Sequence, residues 1–120
     1  MLKSITIIFG VIFILAGLLG FVPSATEHGL LFGLFHVNAA HNIIHLATGA
    51  IAVLCGISSY SASKLFFQVF GVIYGIVAIL GFVYIDEPIL GIIANNIADA
   101  WLHVGIAIIS LYLGFFYHES

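Results

Sequence analysis

Asn38-Ala39-Ala40-His41-Asn42-Ile43-Ile44-His45 sets two amides and two imidazoles within two helical turns of an otherwise apolar run. Asn96-Ile97-Ala98-Asp99-Ala100-Trp101-Leu102-His103 echoes it towards the other end of the chain. In alignment Asn38 meets Asn96, His41 meets Asp99, and His45 meets His103. On the first stretch Asn38, His41, His45 and Thr48 follow spacings of three and four, which is one face of an α-helix. Asn96, Asp99 and His103 do the same on the second, with Ser110 two turns further on.

The surroundings decide what solvent these helices face. Of 120 residues, 63% are hydrophobic and 6% charged. A water-soluble domain keeps about a quarter of its residues charged, so lipid is the expected solvent. A spanning helix needs about 20 mostly apolar residues. Four segments meet that requirement, at residues 2–22, 38–57, 65–84 and 96–117. No alternation of period two is sustained, which argues against a β-barrel. Two Lys and a net charge of -3 leave no basic footprint for nucleic acid. The single cysteine, Cys55, reads as a small packed residue.

The first segment resembles a signal peptide, with Lys3, an apolar stretch and Pro23-Ser24-Ala25. Internal repetition argues otherwise. Phe9-Gly10-Val11-Ile12 returns as Phe70-Gly71-Val72-Ile73, and Leu19-Gly20-Phe21-Val22 as Leu80-Gly81-Phe82-Val83; Gly33 then matches Gly91. The expected fold is an all-α membrane protein. Its four transmembrane helices form two parallel helical-hairpin repeats, with a pseudo-twofold axis along the membrane normal. Lys3 and Lys64 belong on one side, which puts both termini and a loop at Ser58–Lys64 in the cytoplasm. Leu30–Val37 and Ile89–Asn95 are too short to span and are expected at the outer interface as a helical turn or re-entrant piece. Tyr84 and Trp101 suit an outer aromatic belt, Tyr60 and Tyr117 an inner one. Small residues mark helix contacts: Gly10, Gly17 and Gly20; Gly49, Ala52 and Gly56; Gly71 and Gly75. Any one of these stripes also leaves room for a homo-oligomer.

A pseudo-twofold would set His41 opposite Asp99 and His45 opposite His103, about 4–5 Å and about 10 Å inside the helix starts. Polar groups at that depth point inward and find partners. Three readings follow. One is a structural or accessory subunit whose His/Asp/Asn network only fixes helix packing. The second is a metal site of His41, His45, Asp99 and His103, a donor set suited to a divalent Zn, Cu, Fe or Mn ion. His36 is an additional candidate ligand, and Asn38, Asn42 and Asn96 form a supporting polar network. The third, haem between two histidines, needs more space than packed helices leave. His41 opposite Asp99 breaks the symmetry and suits a metal or a proton-accepting pair. His28 and His118 read as solvated. With no nucleophile elbow, phosphate loop or dinucleotide fingerprint, enzyme activity would require a metal site open to water.

These motifs carry a family resemblance. Leu34-Phe35-His36-Val37-Asn38, His41-Asn42-Ile43-Ile44-His45-Leu46 with Gly49, Phe70-Gly71-Val72-Ile73-Tyr74, and Asn96-Ile97-Ala98-Asp99 with Trp101-Leu102-His103 all take part. Together they resemble a family of small bacterial four-span membrane proteins known as the domain of unknown function numbered four-three-eight-three. Ala100 departs from the Asn expected after the Asp. The resemblance implies a four-helix membrane fold in the bacterial inner (cytoplasmic) membrane and supplies no activity.

Overall fold

The computed structural model describes residues 1–119. Four helices dominate: α1 (Leu2–Leu19), α2 (Ala39–Ser58), α3 (Tyr60–Val83) and α4 (Ile97–Leu111), the last continued by a π-helical segment at Tyr112–Phe116. Each, with that extension, is long and apolar enough to cross a membrane. Large apolar side chains such as Ile8, Leu54, Ile79 and Phe116 stand exposed around the outside, which suits lipid and would be costly in water.

Glycine brings α1 and α2 together. A methyl group on Gly49 would lie 2.6 Å from the Gly10 carbonyl oxygen, and one on Gly10 would lie 2.6 Å from the Gly49 carbonyl oxygen. Gly17 and Gly56 make similar backbone approaches, to Asn42 and Lys3. Without a hydrophobic drive between helices in lipid, this close packing is what holds a hairpin. On α3, Gly71 receives Leu111, whereas Gly75 has nothing within 4 Å of its missing methyl. The π-helical turn of α4 brings Gly114 against the Gln68 backbone, and the Gln68 side-chain amide donates to the Gly114 carbonyl at 2.9 Å. A core of Leu2, Ala52, Phe66, Phe67 and Leu113 fills the end of the bundle away from the histidines.

The three connections differ from expectation. The Ser58–Lys64 stretch is no loop, because α3 starts at Tyr60. Ser59 alone, in extended backbone, ends α2 and caps α3 by accepting from the Ala62 N–H at 3.0 Å. Ser63, which polar composition assigns to a loop, is buried and donates to the Ser59 carbonyl. The second difference is at Leu30–Val37, which forms no helical turn. It belongs to a small antiparallel meander of β1 (Thr26–Glu27), β2 (Leu30–Leu31) and β3 (Phe35–His36), preceded by a 3-10 turn at Pro23–Ala25. Phe32 and Gly33 both take positive φ, +54° and +70°, which turns the chain back on itself and excludes a helix. At the third, Ile89–Asn95, Leu90 and Gly91 repeat these signs, and Ile89 pairs with Ile93 across that turn.

Candidate metal centre

The helix starts position the site. Asn38 lies just outside α2 and its side chain accepts from the His41 N–H at 2.9 Å. Asn96 does the same for the Asp99 N–H, and the Asp99 carboxylate returns the bond to the Asn96 N–H, closing a capping box. The two amides also cross between the hairpins. Asn38 Nδ2 donates to the Ile92 carbonyl at 3.0 Å and Asn96 Nδ2 to the Leu34 carbonyl at 2.8 Å. Both asparagines are therefore caps and cross-ties that hold the helix starts bearing His41 and Asp99. The Asn-x-x-Asp spacing, a known helix-start pattern, carried that signal. Asn96→Ala is expected to lower stability by about 1–2 kcal/mol for the cap, with a further loss from the Leu34 tie. Unfolding in mixed micelles measures it.

His41 and Asp99 do not meet as a pair. Both lie in the first turn of a helix, next to the connector from the opposite hairpin, and each takes a backbone group there. The His41 Nδ1–H donates to the Ala94 carbonyl at 2.9 Å, and Asp99 Oδ2 accepts from the His36 N–H at 3.0 Å. A carbonyl only accepts, so Nδ1 of neutral His41 carries the hydrogen and Nε2 is left bare. That bare nitrogen lies 3.2 Å from His45 Nε2.

His103 completes the group. His41, His45 and His103 each offer one ligand atom, and the three lie within 4.8 Å of one another. His41 and His103 are buried and His45 is half-buried. Among the described residues, His103 Nδ1 is one of three buried side-chain polar atoms with no hydrogen-bond partner. Buried polar nitrogens rarely go unpaired, and this one belongs to the ring that meets the other two imidazoles. The spacing of His45 and His103 along their helices made this meeting legible. Asp99 stands outside the close trio, though it shares with His41, His45 and Asn42 the wall of a cavity of about 130 Å³ beneath the meander. The His36 ring lies by Gly29, and its backbone rather than its imidazole serves the site. Asn42 is buried against Gly20, where a methyl group would lie 1.9 Å from its amide oxygen.

Sequence spacing gives Tyr74 no role at the site, yet it lies beside the histidines. It is buried on α3, exchanges a hydrogen bond with Thr48 at 3.1 Å, and its ring centroid lies 5.5 Å from that of His103. Phe13 packs on both His45 and Tyr74. A tyrosine in the middle of a span, rather than at its ends, was the available clue, since its hydroxyl must find a partner there.

The family model described as domain of unknown function (DUF4383) matches residues 3–116. The chain belongs to the DUF4383 family. Neither a curated protein nor a solved structure matches it. Within this DUF4383 protein, the matched span takes in all three clustered histidines, both asparagine caps and Tyr74.

Proposed function

We propose that this DUF4383 protein binds one divalent transition-metal ion through His41, His45 and His103, between α2 and α4 near the outer face of the membrane. The observation that carries the reading is the convergence of three imidazole ligand atoms within 4.8 Å, with the Nδ1–H of one locked on Ala94 so that its Nε2 is free. A backbone acceptor on the far ring nitrogen is the usual way a protein orients a histidine ligand. Three neutral imidazoles suit Zn, Cu, Fe or Mn and leave a coordination position for water or another ligand. Asp99 sets a carboxyl group on the wall of the cavity shared with His41 and His45.

The wider frame belongs to the same proposal. The protein is read as an inner-membrane bundle of two like hairpins with both termini cytoplasmic. The exchanged Asn38–Ile92 and Asn96–Leu34 bonds support a pseudo-twofold between the hairpins. Lys3 and Lys64, at the starts of α1 and α3, support the orientation.

Elemental analysis of protein purified in detergent tests the metal. Near-stoichiometric metal is expected. Metal-free protein that cannot be loaded with Zn²⁺ or Cu²⁺ sinks the proposal. It would leave the alternative, an accessory subunit in which His41 and Asp99 serve only to tie each hairpin to the other's connector. Asp99→Asn separates ligand from neighbour. The amide oxygen still accepts the two backbone bonds, so the expected outcome is retained stoichiometry with weaker affinity in a metal titration.

A further inference from the structure

The bundle is two tight hairpins with two looser seams, one between α2 and α3 and one between α1 and α4. Each seam contains a cavity, and each cavity ends on the histidine cluster. In the α2/α3 seam a cavity of about 100 Å³ runs from the exposed Ile44 and Ile73 past Phe70 and Val77 to His45 and His103. In the α1/α4 seam a cavity of about 220 Å³ is walled by Phe9, Ile12, Phe13, Ala16 and Ile106, with His45 as its sole polar side chain.

The chemistry of these walls selects what can enter. A charged or strongly hydrated molecule would shed its water against apolar side chains with nothing to replace it. An apolar body meets no such penalty. At the inner end of the α2/α3 cavity lie the three imidazoles, together with the Tyr74 and Thr48 hydroxyls, which bond to each other at 3.1 Å. Ligand sites commonly have this form, mostly apolar with a few convergent polar groups.

We infer that the cluster receives a lipid-soluble molecule entering sideways from the bilayer, with an apolar body in a seam and a carbonyl or hydroxyl oxygen at the histidines. This rests on the cluster being a ligand-binding centre rather than a packing device. It goes further by naming the class of ligand and the direction of approach.

A long-chain alcohol carrying a diazirine within its chain tests it on the full protein in lipid nanodiscs. After illumination, mass spectrometry locates the label. Label concentrated on Phe70, Val77 or Ile106, and removed by excess unlabelled alcohol, is the expected result. Ala16→Phe and Val77→Phe each narrow one seam while leaving all three histidines in place. Each is expected to reduce its seam's label to the level of outward residues while metal content holds. Label spread evenly over outward residues such as Ile8 and Ile79, and not competed in the unsubstituted protein, overturns the inference. If a variant misfolds, the competition result on the unsubstituted protein still decides. Metal content is read in the same samples. Metal without seam labelling defeats this inference alone, and competed seam labelling without metal defeats the metal centre alone.

Discussion

Gly49→Leu is expected to prevent α1 and α2 from forming their hairpin. Even a methyl group at Gly49 would sit 2.6 Å from the Gly10 carbonyl oxygen and 2.9 Å from the Ile14 nitrogen. Both are backbone atoms inside helices, so neither can swing aside as a side-chain tip would. The helices must separate, and every contact along the stripe from Gly56 to Gly17 loosens with them. In a solvent-exposed helix, replacing Gly with Ala gains up to about 1 kcal/mol from helix propensity. Here overpacking reverses the sign, with a loss of about 3 kcal/mol or more for the leucine. Gly75→Ala provides the contrast, since nothing lies within 4 Å of its missing methyl. It should be neutral or slightly stabilising. Unfolding by rising denaturing-detergent fraction, followed by circular dichroism, compares the two. Equal midpoints would remove the glycine contact as the basis of the hairpin.

His103→Ala is expected to abolish stoichiometric metal binding, with a loss of stability limited to the packing of one truncated buried ring. The two effects separate at this residue because Nδ1 of His103 has no protein partner to lose. His41→Ala is less clean, as it strands the Ala94 carbonyl and adds about 1–3 kcal/mol of destabilisation. Disturbing an outer-shell partner typically costs 10–100-fold in metal affinity, so loss of one of three direct ligands should exceed about a hundredfold. Elemental analysis and a competition titration measure this, with thermal unfolding in the same detergent. Unchanged metal content in His103→Ala would exclude His103 as a ligand. Matching losses of stability, with no metal in either protein, would return the cluster to a packing role.

The four spans and the faces of α2 and α4 were legible in sequence because apolar length and helical period are local properties. His45 and His103 lie one turn deeper than His41 and Asp99, a depth also set by counting residues. The partners that His41 and Asp99 take instead of each other were not legible. They depend on what the connectors offer at the helix starts, and Ala94 and His36 supply backbone groups that an alignment of spans does not contain. The short apolar pieces at Leu30–Val37 and Ile89–Asn95 hid a left-handed pair, Phe32-Gly33 and Leu90-Gly91, because a bulky residue is a poor advertisement for positive φ. Ser59 hid for the opposite reason. A serine-rich stretch reads as loop, yet one serine can end a helix and cap the next.

That single-residue joint also acts as the pivot of a lever. From Ser59 to His45 is fourteen residues of continuous helix, about 21 Å of rigid arm. A rotation of about 5° at the pivot moves the histidine level by about 2 Å, while the ends beside Ser59 barely shift. A change in the backbone angles of that one residue would therefore alter the width of the α2/α3 seam at the depth of the imidazoles.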